Sequence, residues 1–181
     1  PQILSLAQQH SAAQLGVDAM KALLDAGELE LVRDGLHSDD PVAAQATAKV
    51  LELSGDARTV DLLLDFITEE NQPVEVQRIA TRAICRNQEG ATKVLDLAKS
   101  GELHLNLRDA AAAAIQVSPM EEIRHRGHEI FPFPISKNQQ PVPPIEQLVK
   151  LNGDVEKGRI VFNKSGTCSK CHVVNKTGHE I

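Results

Sequence analysis

Asn71-Gln72-Pro73-Val74-Glu75-Val76-Gln77-Arg78-Ile79-Ala80-Thr81-Arg82-Ala83-Ile84 is the stretch that decides the fold. Val76, Ile79, Ala80, Ala83 and Ile84 recur at the three-and-four spacing of one helix face. The proline ahead of them ends one helix and opens the next. The same phrase occurs upstream, where Asp39-Asp40-Pro41-Val42 opens a stripe of Ala43, Ala46, Thr47, Val50 and Leu51. Downstream, Leu105-Asn106-Leu107-Arg108-Asp109 opens Leu107, Ala110, Ala111, Ala114 and Ile115 without a proline. Between these openings run the stripes Val60, Leu63, Leu64, Ile67 and Ala91, Val94, Leu95, Ala98, and ahead of the first lies Leu29, Val32, Leu36. Each stripe predicts one helix. Residues 1–118 are therefore expected to be helix pairs repeated with a period of roughly 31 to 34 residues.

Composition points the same way. Of 181 residues, 41% are hydrophobic, which is enough for a packed core, yet the aromatics amount to four Phe with no Trp or Tyr. A core of Leu, Ile, Val and Ala suits stacked helices better than a β-sandwich. The net charge of −6, with both signs interspersed, argues against a nucleic-acid surface. No apolar run is long enough to span a bilayer. Cys85 falls within the helical pattern beside Ala83 and Ile84 and reads as a small buried apolar residue.

Helix pairs at this period fit several repeat families. The Trp, Gly and Tyr signature of tetratricopeptide repeats is missing, and no Thr-Pro-Leu-His of the ankyrin kind occurs. Arg78-x-Ala80-x-x-Ala83-Ile84 and Arg108-x-Ala110-x-x-x-Ala114-Ile115 instead resemble short HEAT-like repeats, in which small alanines let helices approach closely. The resemblance implies an all-α architecture, an α-solenoid whose concave face either docks a protein or serves as a spacer.

From Ser118-Pro119 onward prolines become dense, in Phe131-Pro132-Phe133-Pro134 and Pro141-Val142-Pro143-Pro144. Prolines at this density stop helices and favour extended backbone. Residues 119–148 are accordingly expected to be a proline-rich connector that touches the repeats through Phe131 and Phe133. His125 and His128 sit among Arg124 and Arg126 with Glu129 as the one carboxylate beside them, a poor setting for a cation, and read as solvated connector histidines.

The chemistry is concentrated at Cys168-Ser169-Lys170-Cys171-His172. Two thiols three positions apart with a histidine directly after the second form the attachment signature of c-type haem: each sulfur can bond one vinyl group, and the histidine faces the iron. Cys168 and Cys171 are the candidate thioether donors, and His172 the candidate proximal iron ligand. A structural zinc site wants four ligands, usually as two pairs. The only other cysteine is the distant Cys85, which leaves His179 as one more candidate. A redox dithiol would follow a strand in a βαβ setting, and no β-branched run of strand length precedes Cys168. Both alternatives stay open at this point.

Upstream, Gly153-Asp154-Val155-Glu156-Lys157-Gly158-Arg159-Ile160-Val161-Phe162-Asn163-Lys164 predicts a short helix with Asp154 as its N-cap. This segment resembles the N-terminal helix of class I cytochromes c, with Gly158 and Phe162 in the places of the family's glycine and of the aromatic residue four positions later. The resemblance implies that residues 149–181 are the N-terminal part of a cytochrome c domain whose later helices would follow, with one covalent haem c. In the family the sixth ligand is usually a downstream methionine. Met20 and Met120 both precede the motif, so no distal ligand is assigned, and His179 reads as an exposed loop residue.

The combination of HEAT-like repeats, a proline-rich connector and this segment resembles the haem-binding C-terminal regions of large secreted proteins of planctomycete and verrucomicrobial bacteria. It implies electron transfer in the periplasm or another extracytoplasmic compartment. The partner would be a redox protein or an upstream dehydrogenase domain. No catalytic motif is present, neither a strand-flanked glycine-rich loop nor Gly-x-Ser-x-Gly. The opposing class is a non-redox helical-repeat scaffold with a zinc or vestigial Cys-x-x-Cys-His site.

Overall fold

The computed structural model describes residues 2–132, 145–166, 168–170, 172–175 and 177–178, and the chain divides into two compact units, Pro1–Phe133 and Pro134–Ile181. It is mostly helical, as expected. All six apolar stripes form helices: α3 (Leu29–Leu36), α4 (Pro41–Ser54), α5 (Val60–Thr68), α6 (Val74–Ile84), α7 (Gln88–Ser100) and α8 (Arg108–Gln116). Two more precede them, α1 (Gln2–Gln9) and α2 (Gln14–Asp25), and α9 (Glu121–Ile130) follows.

The helix ends follow local chemistry. Asp40 Oδ1 accepts the Val42 N–H at 2.9 Å and Pro41 stands at the first turn, so α4 begins where an unpaired amide is satisfied and a missing one costs nothing. Asn87 Oδ1 caps α7 through the Gly90 N–H at 2.8 Å. Gly55 and Gly101 end α4 and α7 with φ of 56° and 84°, left-handed values that a side chain would strain. Pro73 lies one position further out than Pro41, as the residue preceding α6.

Packing joins neighbouring helices in chain order. Helix α3 packs on α4, and α5 on α6; α4 lies against α6, α6 against α8, and α7 against α9, while α1 and α2 pack on each other and on α4. The shared core contains Met20, Leu36, Leu51, Leu63, Phe66, Ile84, Leu95, Leu107, Ile115 and Ile123, each at most 1% exposed. Phe66 is the single fully buried aromatic among its largest members. Cys85 is buried, and its desolvated thiol is pushed up to about 12, which makes it an inert space-filler.

Polar links recur between helices 30 to 32 residues apart. Lys93 Nζ reaches Asp61 at 2.8 Å, Arg126 reaches Asp96 at 2.7 Å, Arg82 reaches Glu52 at 3.1 Å, and His37 reaches Glu69 at 2.8 Å. The exposed ones among them, such as Lys93–Asp61, add little stability singly. The links show that residues 30 to 32 positions apart face one another.

The first unit extends past the expected boundary at 118. Residues 121–130, assigned to the connector on proline density, form α9, because the prolines flank this stretch without entering it. Ile123 is 1% exposed in the core, Gly127 meets Ile115 so closely that a Cβ would clash with its Cγ2, and Glu121 and Glu122 complement the positive end of the helix. Arg124 donates to the Ser118 carbonyl at 2.6 Å and tightens the α8–α9 turn. Phe131 is buried under the Arg108 guanidinium, 5.1 Å from its ring centroid, so it does contact the helices as expected. Phe133 and the prolines at 134, 141, 143 and 144 lie outside the described residues. His125 is exposed on α9, on a helix instead of a connector.

Within the second unit, α10 (Ile145–Leu148) is followed by α11 (Val155–Ile160), a wider π-type turn over Val161–Ser165, a 3₁₀ turn over Cys168–Lys170, and a two-stranded antiparallel pair, β1 (Val173–Val174) with β2 (Thr177–Gly178). Asn175 turns between the strands at φ 49°, a value Asn tolerates better than most residues.

Candidate functional site

The segment that carries the chemistry is built from α11 forward. Asp154 Oδ1 accepts the Lys157 N–H at 3.0 Å, the N-cap read from the sequence. That backbone bond is the main reason its carboxyl is held below the usual carboxylate range. Pairs of Lys157 with Asp154 at 3.4 Å and Arg159 with Glu156 at 3.6 Å line the first turn. Gly158 and Phe162, one turn apart, stand on the same side of this helix and its π-type continuation, and both line one concavity.

The π-type turn closes with the Gly166 N–H donating to the Val161 carbonyl at 2.7 Å. Such turns widen a helix by one residue and concentrate at functional positions. Here it brings the chain back so that Gly166 passes directly beneath Cys168. A Cβ on Gly166 would lie 2.9 Å from the Val161 carbonyl oxygen and 3.1 Å from Cys168 Sγ, so this position requires glycine. Cys168 Sγ donates weakly to the Gly166 carbonyl at 3.5 Å.

Cys168 begins a single helical turn, closed by the His172 N–H donating to the Cys168 carbonyl at 3.0 Å. Both side chains are exposed. The structure thus places Cys168 and His172 at the two ends of one turn; Cys171, between them in sequence, and His179 lie outside the described residues.

The same unit holds an open concavity of about 530 Å³, lined by Val155, Gly158, Phe162, Val174 and Asn175 among others. Cofactor sites commonly fall between roughly 300 and 1,000 Å³ and are mostly apolar. Of its apolar lining, Val155 is 77% and Val174 52% exposed, and Phe162 is half-buried. A Cβ on Gly158 would meet nothing within 4 Å. From Lys157 to Lys170 the sequence holds Lys157, Arg159, Lys164 and Lys170 and no carboxylate, a local excess of positive charge in an acidic chain.

Gly166 and this run of cations were not singled out from the sequence. The charge run was legible; the glycine's role needed the π-type turn. Among the described residues no group of three or more His, Cys, Asp or Glu side chains stands ready for a metal ion, and no helix is long and apolar enough to cross a membrane. Compared with models of protein families, with curated proteins and with solved structures, the chain matches none.

Proposed function

We propose that Cys168 and Cys171 hold a single c-type haem as thioethers, that His172 is its axial ligand, and that the chain serves electron transfer from a HEAT-like α-solenoid scaffold. The observation that carries this reading is the single turn joining exposed Cys168 to exposed His172, in a segment whose Phe162 and Val174 line one open concavity. The haem, when bound, supplies one-electron exchange at iron. The chain's own residues hold and shield it. Gly166 leaves room for Cys168 Sγ, Phe162 and Val174 offer apolar wall, and the imidazole of His172 offers a nitrogen lone pair.

The repeat reading is supported by polar links at 30 to 32 residues and by helices that pack in chain order. Covalent attachment of this kind belongs to an extracytoplasmic compartment, so the periplasm or its equivalent is the proposed location. The partner is a redox protein or an upstream dehydrogenase domain, and the cations from Lys157 to Lys170 favour one with an acidic face.

The test is the protein produced in a compartment with haem-attachment machinery. Absorbance that survives acid–acetone extraction, loss of most loading in Cys168→Ala and Cys171→Ala, and loss of the low-spin spectrum in His172→Ala are expected. Isolation with bound zinc and no extraction-resistant absorbance would overturn the reading.

A further inference from the structure

We propose that His37 is a proton-operated latch: as an imidazolium it ties the end of α3 to the end of α5, and loss of its proton releases that tie. The inference concerns the first unit and does not rest on the haem reading.

His37 Nδ1 lies 2.9 Å from the Arg33 carbonyl oxygen and Nε2 lies 2.8 Å from Glu69 Oε2. Both partners only accept. A neutral imidazole carries one N–H and cannot serve two acceptors, whereas the imidazolium donates from both nitrogens. In the neutral ring, one nitrogen lone pair would face an oxygen at under 3 Å. The ring must then leave one partner.

Position reinforces the charge. His37 is the residue that ends α3, and the Arg33 carbonyl in its last turn accepts the His37 backbone N–H at 3.0 Å and also faces the ring nitrogen. A cation there complements the negative end of the helix. Glu69 ends α5, where a carboxylate is misplaced against the same dipole unless a cation neutralises it. The neighbours fix Glu69 in place: Gln72 Nε2 donates to its Oε2 at 2.7 Å, and the buried Gln77 amide donates to the carbonyls of Phe66, Ile67 and Glu69 at 3.0 to 3.3 Å. Phe66 meets the His37 ring edge-on, with centroids 5.1 Å apart.

The charged groups facing His37 are Glu69 from α5 and Arg33 from its own helix. Arg33 is partly neutralised by Glu30 at 3.7 Å and Asp65 at 3.8 Å, and Asp40 is committed to the Val42 N–H at the start of α4. Burial works against the charge, but the bond to the Arg33 carbonyl and the bond and charge of Glu69 outweigh it and raise the group above its ordinary 6.5. A folded value above the unfolded one means that the tie contributes fully below pH about 6.5 and fades as pH climbs through the higher folded midpoint.

The experiment is a long-range proton–nitrogen spectrum of the histidine rings of the full chain between pH 5 and 9, with amide exchange followed in parallel. Below pH 6.5 both His37 nitrogens should carry protons, with a titration midpoint above 6.5, and exchange at residues 37–39 and 69–71 should accelerate several-fold through that midpoint. Glu69→Gln should lower the midpoint. A midpoint at or below 6.5, exchange indifferent to His37 titration, or a midpoint unmoved in Glu69→Gln would each overturn the proposal.

Discussion

The first unit buries Phe66, Met20, Leu51, Ile84 and Ile115 almost completely, while in the second the described side chains of residues 147–166 and 172–175 are exposed or half-exposed, with none buried. The two regions do not differ in local signals. Asp40 caps α4 and Asp154 caps α11 by the same bond to a nearby amide, and both helices carry an apolar stripe. They differ in what the stripe meets. Helices α4, α6 and α8 each find the next helix; Val155, Ile160 and Val161 find none among the described residues. Capping starts a helix, and burial makes it stable.

Separating the units should break the comparison most visibly. Residues 1–133 are expected to unfold in one cooperative transition with a strongly helical circular dichroism spectrum. Residues 134–181 without cofactor should show no cooperative transition, because a six-residue helix with no buried face is marginal in water. A sharp melt of the second piece alone would show that it closes a core of its own.

Within the first unit, Phe66→Ala should cost about 3 to 5 kcal/mol in denaturant unfolding, since it empties the largest fully buried side-chain site in the core. Ile123→Ala should cost about 2 to 5 kcal/mol, which distinguishes α9 as a core helix from a connector resting on the surface. A loss below 1 kcal/mol there would return residues 121–130 to the connector.

What the sequence made legible follows from these same interactions. The stripes from Leu29 to Ile115 were readable because each helix buries one face, so burial imprints a period on the chain. Helix α9 was obscured by the prolines at 119 and 132, which bracket it without interrupting Ile123, Gly127 and Ile130. Helix α1 mixes buried Leu4 and Ala7 with exposed Ile3 and Leu6, and so lacks a clean polar face. In the second unit the N-cap at Asp154 was legible because capping is local. The π-type turn and the demand for glycine at 166 were not, since they depend on where Val161 and Cys168 come to lie. The His37–Glu69 contact has no local signature either, although its 32-residue separation falls within the spacing of roughly 31 to 34 expected from the sequence.

A smaller effect sharpens the contrast between capping and burial. Asp40→Ala should destabilise the first unit by about 1 kcal/mol, read as a shift in denaturant midpoint without a change in slope. A change in slope would instead mean that the α3–α4 corner had come apart in the native state.

The central claim is that the second unit's uncovered apolar surface belongs to a covalent haem at Cys168 and Cys171. Mass spectrometry of the protein purified from a haem-attaching, extracytoplasmic host and extracted with acid–acetone tests this directly. The account predicts a mass increased by one haem, confined to the peptides containing these two cysteines and absent when both are replaced by alanine. An unmodified mass, with both thiols free to alkylate, would contradict it.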